Sequence, residues 1–215
     1  MIDEPIRSRL ELGANKLGIP IDEYRLDQFC DYLALLKKWN KAYNLTALKS
    51  LEQMLGLHLL DSLAVIPYIK GKHILDVGTG AGLPGIIIAI QKPDVRMTLL
   101  DSNGKKTRFL NQVKAELDLA NVEVIHSRVE KFRPEELFDS VLSRAFASLK
   151  DMTDNAAHLL AEGGRFWAMK GRYPQQEIES LGSMYTLESC QALQIPGVDA
   201  ERHLIELSVP KENLD

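Results

Sequence analysis

At 215 residues with 45% hydrophobic content, the chain has enough material for a single core that buries about 70% of its unfolded surface. Its two cysteines, Cys30 and Cys190, stand far apart without C-x-x-C spacing, which excludes a disulfide framework and a cysteine-based zinc site, and no other metal site is expected. The net charge of −4 conceals an uneven distribution: residues 1–31 carry 4 basic and 7 acidic side chains, residues 32–172 carry 20 and 15, and residues 173–215 carry 2 and 8, so positive charge gathers in the middle of the chain, as a polyanion-binding face requires.

The opening Met1-Ile2-Asp3-Glu4-Pro5 is acidic, and no apolar run approaches the roughly 18 residues of a membrane span. A cytoplasmic protein without a membrane partner is therefore expected. Residues 22–41 place Leu26, Phe29, Cys30, Leu33, Leu36 and Trp39 at helical spacing, and 51–69 repeat the pattern behind the capping-box pair Ser50 and Gln53. Residues 1–70 are thus predicted to form a helical cap. From Lys72 onward, strands are predicted near 73–77, 96–100, 122–126, 139–143, 164–170, 184–190 and 203–209, with helices between most of them. This alternation predicts an α/β unit over 71–215, a Rossmann-like, mostly parallel seven-stranded sheet that makes one compact body with the cap. The last two strands are joined only by residues 195–200, too short for a crossover helix, so the last strand is expected to run antiparallel.

The first strand, Ile74-Leu75-Asp76-Val77, ends in Gly78-Thr79-Gly80-Ala81-Gly82 and opens into the helical pattern Leu83 to Ile90. Glycines there permit positive φ, and the helix N-terminus offers N–H groups to a polar ligand. No Lys-Ser or Lys-Thr closes the turn, which argues against a P-loop. Leu83 stands where a dinucleotide fingerprint has its third glycine, which disfavours NAD. Asp76-x-Gly78-x-Gly80-x-Gly82 instead resembles motif I of the S-adenosylmethionine-dependent methyltransferases of the Rossmann-like class I type. The second strand ends in Asp101, about 20 residues beyond the glycines, where a carboxylate can accept both ribose hydroxyl protons of an adenosine; an N-cap for the following helix is its alternative role. The third tip, Ser127-Arg128-Val129-Glu130, is where an adenine edge would meet a backbone N–H of Val129 or Glu130.

The remaining tips constrain the chemistry. Neither cysteine stands at a tip to act as a nucleophile on a pyrimidine carbon. The fourth tip, Ser143-Arg144-Ala145-Phe146, lacks the [DNS]-P-P-aromatic pattern of amine methylation, and its cationic character does not suit a base for a hydroxyl acceptor. Guanine N7 already owns a lone pair, so alignment alone can drive methyl transfer. Small-molecule methylation and a noncatalytic, cofactor-sensing RNA-binding role remain as alternatives.

Five blocks in one order extend the reading to a family. Lys38-Trp39-Asn40-Lys41-Ala42-Tyr43-Asn44-Leu45-Thr46, His58-Leu59-Leu60-Asp61-Ser62-Leu63, Asp76 through Gly85, Ser143-Arg144-Ala145-Phe146-Ala147 and Arg202-His203-Leu204 closely resemble the bacterial small-subunit ribosomal RNA guanine-N7 methyltransferases, the glucose-inhibited division protein B family. The resemblance implies methylation of a guanine in the 530 loop of 16S rRNA, with naked rRNA or the 30S subunit as partner, and no obligate protein partner is evident. It implies cofactor contacts at Gly78, Leu83, Val129, Glu130 and Arg144, beside Asp76, Gly80, Gly82 and Asp101. Arg144 could hold the methionyl carboxylate or a phosphate. Lys170, Arg172 and Asn44 are the candidate RNA contacts, Asn44 together with the basic-aromatic run Lys37, Lys38, Trp39, Lys41 and Tyr43. At that spacing Trp39 is more often a core residue. His58 and Asp61, one turn apart, are expected to pair with each other, and His203 to be a satisfied core or edge histidine.

Overall fold

A computed structural model describes residues 2–144 and 146–209. Two helices come first, α1 (Glu4–Lys16) and α2 (Glu23–Tyr43). Helix α1, with Ile6, Leu10, Gly13 and Ala14 on its buried face, goes beyond the elements expected from the sequence. Helix α2 starts at Asp22, whose carboxylate accepts the Arg25 N–H at 2.8 Å, and stops at Asn44, whose φ of 51° and ψ of 52° lie in the left-handed region that asparagine tolerates better than most residues. The single helix expected over 51–69 is instead broken into α3 (Leu51–Met54), a π-helical turn (Leu55–Leu60) and α4 (Asp61–Leu63).

The strands are β1 (His73–Val77), β2 (Arg96–Asp101), β3 (Val122–His126), β4 (Phe138–Ser143), β5 (Leu160–Lys170), β6 (Thr186–Ala192) and β7 (His203–Ser208). They form one sheet in the order β3-β2-β1-β4-β5-β7-β6. β7 runs antiparallel to both neighbours, and the pairings among β1 to β5 are parallel. Helices α5 (Gly85–Gln91), α6 (Gly104–Glu116), α7 (Leu149–Ala156) and α8 (Gln175–Glu179) link the strands.

Strand periodicity divides the core into two layers. Ile74, Met97 and Leu99 face one layer, which contains Leu10, Leu33, Ile87 and Phe109 from α1, α2, α5 and α6. Leu75, Val77, Leu100 and Val141 face the other, with Leu149 and Met152 of α7. A parallel sheet buried on both faces needs apolar residues at nearly every strand position, which is why β1 and β2 were legible as apolar runs. The amino-terminal helices share the first layer with α5 and α6. The order in which strands are added to the sheet reverses between β1 and β4, the place where open α/β sheets bind ligands at the carboxyl strand ends.

Candidate active site

The loop after β1 is held by side chains from three elements. Asp76 Oδ2 accepts the Thr79 hydroxyl at 2.7 Å and the Gly85 N–H at 2.9 Å. Asp101 Oδ2, at the tip of β2, accepts the Gly80 N–H at 2.9 Å. Tyr32 of α2 donates its hydroxyl to the Ala81 carbonyl at 2.8 Å. The Gly78 and Thr79 N–H groups meet the Leu100 carbonyl at 2.8 and 3.1 Å. Gly78, Gly80 and Gly82 all adopt positive φ, from 64° to 88°, which side chains other than glycine rarely accept.

The glycines serve different physical ends. A Cβ at Gly82 would lie 2.5 Å from Ile86 Cγ1 and 2.8 Å from Leu110 Cδ2, so Gly82 lets the loop pack between α5 and α6, and one at Gly85 would lie 2.2 Å from Leu99 Cδ2, so Gly85 lets α5 close on the sheet. At Gly80 the nearest atoms to a Cβ would be 3.9 Å away, so that turn is open on the side where the loop meets Lys106. Asp76 is fully buried, and its Oδ1 has no hydrogen-bond partner. Burial pushes its carboxyl up to about 7, against the opposing pull of the Thr79 and Gly85 bonds.

Beside the loop lies a cleft of about 290 Å³ lined by Gly78, Leu100, Asp101, Val129, Glu130 and Phe146 among others. Asp101 is nearly buried in it, with Lys106 Nζ 3.6 Å from Oδ2. The cap of the following helix is Asn103, whose side chain accepts the Lys105 N–H at 2.9 Å, while Asp101 Oδ1 accepts the Asn103 N–H at 2.8 Å, so both Asp101 oxygens tie loop to strand tip and face the cleft with their remaining lone pairs. Arg144, at the tip of β4, faces the amino-terminal segment: its guanidinium donates to the Leu57 carbonyl and to Asp61 Oδ2, both at 3.4 Å. Asp61, buried to 2% exposure, also accepts Arg202 Nε at 2.8 Å. The expected pairing of His58 with Asp61 is therefore corrected. Two guanidinium groups offer a buried carboxylate stronger, charge-assisted donors than a neutral ring, and His58 Nε2 instead meets Thr46 Oγ1 at 2.7 Å. Burial first, and then the Arg144 charge, lower the His58 ring to about 4, so it stays neutral at physiological pH.

The family model for rRNA small subunit methyltransferase G, known as GidB, matches residues 25–205. The chain belongs to this family. A ribosomal RNA small subunit methyltransferase G from Pseudomonas aeruginosa PAO1 is 52% identical over 199 residues, covering 92% of this chain and 93% of the relative. One from Hydrogenovibrio crunogenus is 50% identical over 205 residues and covers 95% of each. Among solved structures, the glycopeptide N-methyltransferase MtfA complexed with S-adenosylmethionine shares the fold at a TM-score of 0.61 and 11% identity, over 71% of this chain and 87% of that one. A predicted O-methyltransferase from Agrobacterium tumefaciens does so at 0.54 and 23%, over 69% and 78%. Family and fold together make this chain a methyltransferase with S-adenosylmethionine as donor.

The family's cofactor fits the residues at hand. The open turn at Gly80, the nearly buried Asp101 carboxylate and the apolar walls from Leu100, Val129 and Phe146 suit an adenosine. The unpartnered Asp76 Oδ1 lies under the same loop. Of the residues expected to bind cofactor, Gly78, Asp101, Val129 and Glu130 line the cleft. Asp76, Gly80, Gly82 and Leu83 build the loop beside it, with Leu83 buried to 2% exposure. Arg144 is engaged with Asp61 and Leu57 instead.

The expected RNA residues separate as well. Lys170 is largely withdrawn from solvent, paired with Glu177 at 2.8 Å and donating to the Phe146 and Ala147 carbonyls at 3.5 and 3.3 Å. Arg172, two residues on, is exposed, as is Asn44. Trp39 is half-buried against Phe109 and Tyr43, with ring centroids 5.7 and 5.1 Å away. His203 pairs with Lys170 across the β5–β7 ladder, and its Nδ1 lies 3.3 Å from the Gly171 carbonyl. Several contributors were missed in the sequence. Thr79, inside the glycine run, carried a signal that was not used. Tyr32 carried none, since its partner lies 49 residues away, and Arg202, though inside a family block, gives no sign in the sequence of its partner Asp61, 141 residues away.

Proposed function

We propose that the chain transfers a methyl group from S-adenosylmethionine to N7 of a guanine in the 530 loop of 16S rRNA, as naked rRNA or within the 30S subunit, and that it works in the cytoplasm without an obligate protein partner. The observation that carries the reading is the cleft at the reversal point of the sheet, with a glycine loop on one wall and Asp101 on another, in a chain of this family. Among the described residues no helix is long and apolar enough to cross a membrane.

The donor supplies an electrophilic methyl on a sulfonium. Asp101 would accept hydrogen bonds from the ribose hydroxyls, and backbone around Val129 and Glu130 would hold the adenine edge. Asp76, Gly78, Gly80, Gly82 and Leu83 keep the loop in register beneath the methionyl end. Arg144 positions from the β4 tip, joining the sheet edge to the amino-terminal helices. Residues 1–70 act as the RNA-facing cap on the 71–215 unit, with Asn44 and Arg172 as RNA contacts. Lys170, its amine already held, serves RNA less directly by fixing the strap after β4. Guanine N7 needs no deprotonation, so no general base is required, and alignment of the two reactants supplies about 7–11 kcal/mol of the barrier reduction.

Replacing guanine by 7-deazaguanine in a 16S rRNA substrate tests the acceptor atom directly. The expected result is full incorporation of methyl into ordinary rRNA and none into the substituted transcript at matched RNA affinity. Equal incorporation into both would assign the methyl to another atom.

A further inference from the structure

We infer that Tyr32 is a positioning residue for the cofactor loop, so that helix α2 of the amino-terminal extension is a built part of the cofactor site. The loop is clamped from β1 by Asp76, from β2 by Asp101 and from α2 by Tyr32. The first two clamps come from the strands that flank the loop. The third comes from a helix 49 residues earlier in the chain, whose hydroxyl reaches the Ala81 carbonyl at 2.8 Å.

Ala81 lies between Gly80 and Gly82, both at positive φ. Two glycines around one residue leave the local backbone free to choose among several paths, so the path must be imposed from outside. The Asp101 carboxylate fixes the N–H of Gly80, and the Thr79 carbonyl accepts the N–H groups of Gly82 and Leu83, both at 3.0 Å. The Tyr32 bond holds the carbonyl of the Ala81–Gly82 peptide, the same unit whose N–H donates to Thr79, so that peptide is fixed on both sides, once locally and once from α2. Tyr32 is itself immobile, with no exposed surface and its ring tilted against Phe109 of α6 at a centroid distance of 6.4 Å. Burial raises its phenol well above the usual tyrosine range, so it remains a hydrogen-bond donor at every working pH. The inference concerns cofactor binding alone and holds whichever atom of the RNA is methylated.

A buried tyrosine also needs a partner for its hydroxyl simply to avoid a desolvation penalty, and the test separates the two roles. Tyr32→Phe keeps the ring and deletes the bond. Calorimetric titration with S-adenosylhomocysteine is expected to show Kd raised roughly 3- to 10-fold, the equivalent of one net hydrogen bond. KM for S-adenosylmethionine rises in step, and kcat at saturating donor stays within about twofold, since the chemistry is untouched. Hydrogen exchange in the cofactor-free protein speeds up at the amides of Gly82 and Leu83 and stays unchanged in β5. Leu36→Val, which thins the same buried face of α2, serves as the structural control: it lowers Tm without moving Kd. Wild-type Kd in Tyr32→Phe, or an equal rise in Kd in Leu36→Val, would overturn the positioning role.

Discussion

Asp76 combines two demands that pull its carboxyl in opposite directions. Oδ2 organises the loop through two hydrogen bonds, which favours the charged form, while full burial with an unpartnered Oδ1 disfavours it. Burial wins, and the carboxyl titrates near 7. In the unfolded chain it titrates in the ordinary range near 4, so between these two values the native state binds one proton more than the unfolded state. Its contribution to stability is therefore complete below about pH 4 and is lost as pH rises through about 7, at up to about 1.4 kcal/mol per pH unit. Asp76→Asn mimics the protonated form and removes this slope. Denaturant melts of both proteins from pH 4 to 8 should show the variant losing less stability than wild type across that interval; parallel curves would mean that Asp76 is ionised throughout. At this scale the sequence revealed chemistry well. Asp76 and Asp101 were readable because an acid at the end of an apolar strand has few other uses. The unpaired Oδ1 was not, since it depends on how α5 packs over the carboxylate.

The π-helical turn Leu55–Leu60 shows what periodicity alone misses. Apolar residues recur through 51–69 much as they would on one continuous helix, yet the turn there widens, a feature that often marks functional positions. The Leu57 carbonyl is used by Arg144 from outside the helix. Asp61 then lies where Arg144, just after β4, and Arg202, just before β7, both reach it, so one carboxylate joins three segments at the carboxyl edge of the sheet. Burial raises its carboxyl, and the two guanidinium groups oppose that rise. Because removing one partner of a buried ion cluster leaves unpaired charge, Asp61→Ala is expected to cost about 2–4 kcal/mol, reduced from the fully buried case by the partial exposure of both arginines. The measurement is again a denaturant melt. A cost within 0.5 kcal/mol, the range of ordinary surface substitutions, would mean the cluster holds nothing together. The strands, by contrast, were legible from sequence nearly throughout, except that β5 begins at Leu160, four residues before the expected 164, and the β6 start moved two residues because Gly182–Met184 forms a short 3-10 turn. Helix α1 escaped notice because its apolar positions are few and interleaved with charge.

For the whole molecule, fold, site and charge distribution converge on one activity. The strand order reverses where the glycine loop stands, the amino-terminal helices share the core beside that loop, and the segment 32–172 holds the positive excess that an RNA substrate would meet. The family was legible because its blocks fall at strand ends, at the end of α2 and in the π-helical segment, which together frame the carboxyl edge of the sheet. The ion cluster around Asp61 was not, because it is assembled from segments up to 141 residues apart. The most direct test of the account is transfer of labelled methyl from S-adenosylmethionine to 30S subunits and to naked 16S rRNA, both prepared from a strain lacking this protein, followed by mapping of the modified base. The account predicts label at N7 of a guanine in the 530 loop. Label at any other base, or none while S-adenosylhomocysteine still binds, would contradict it.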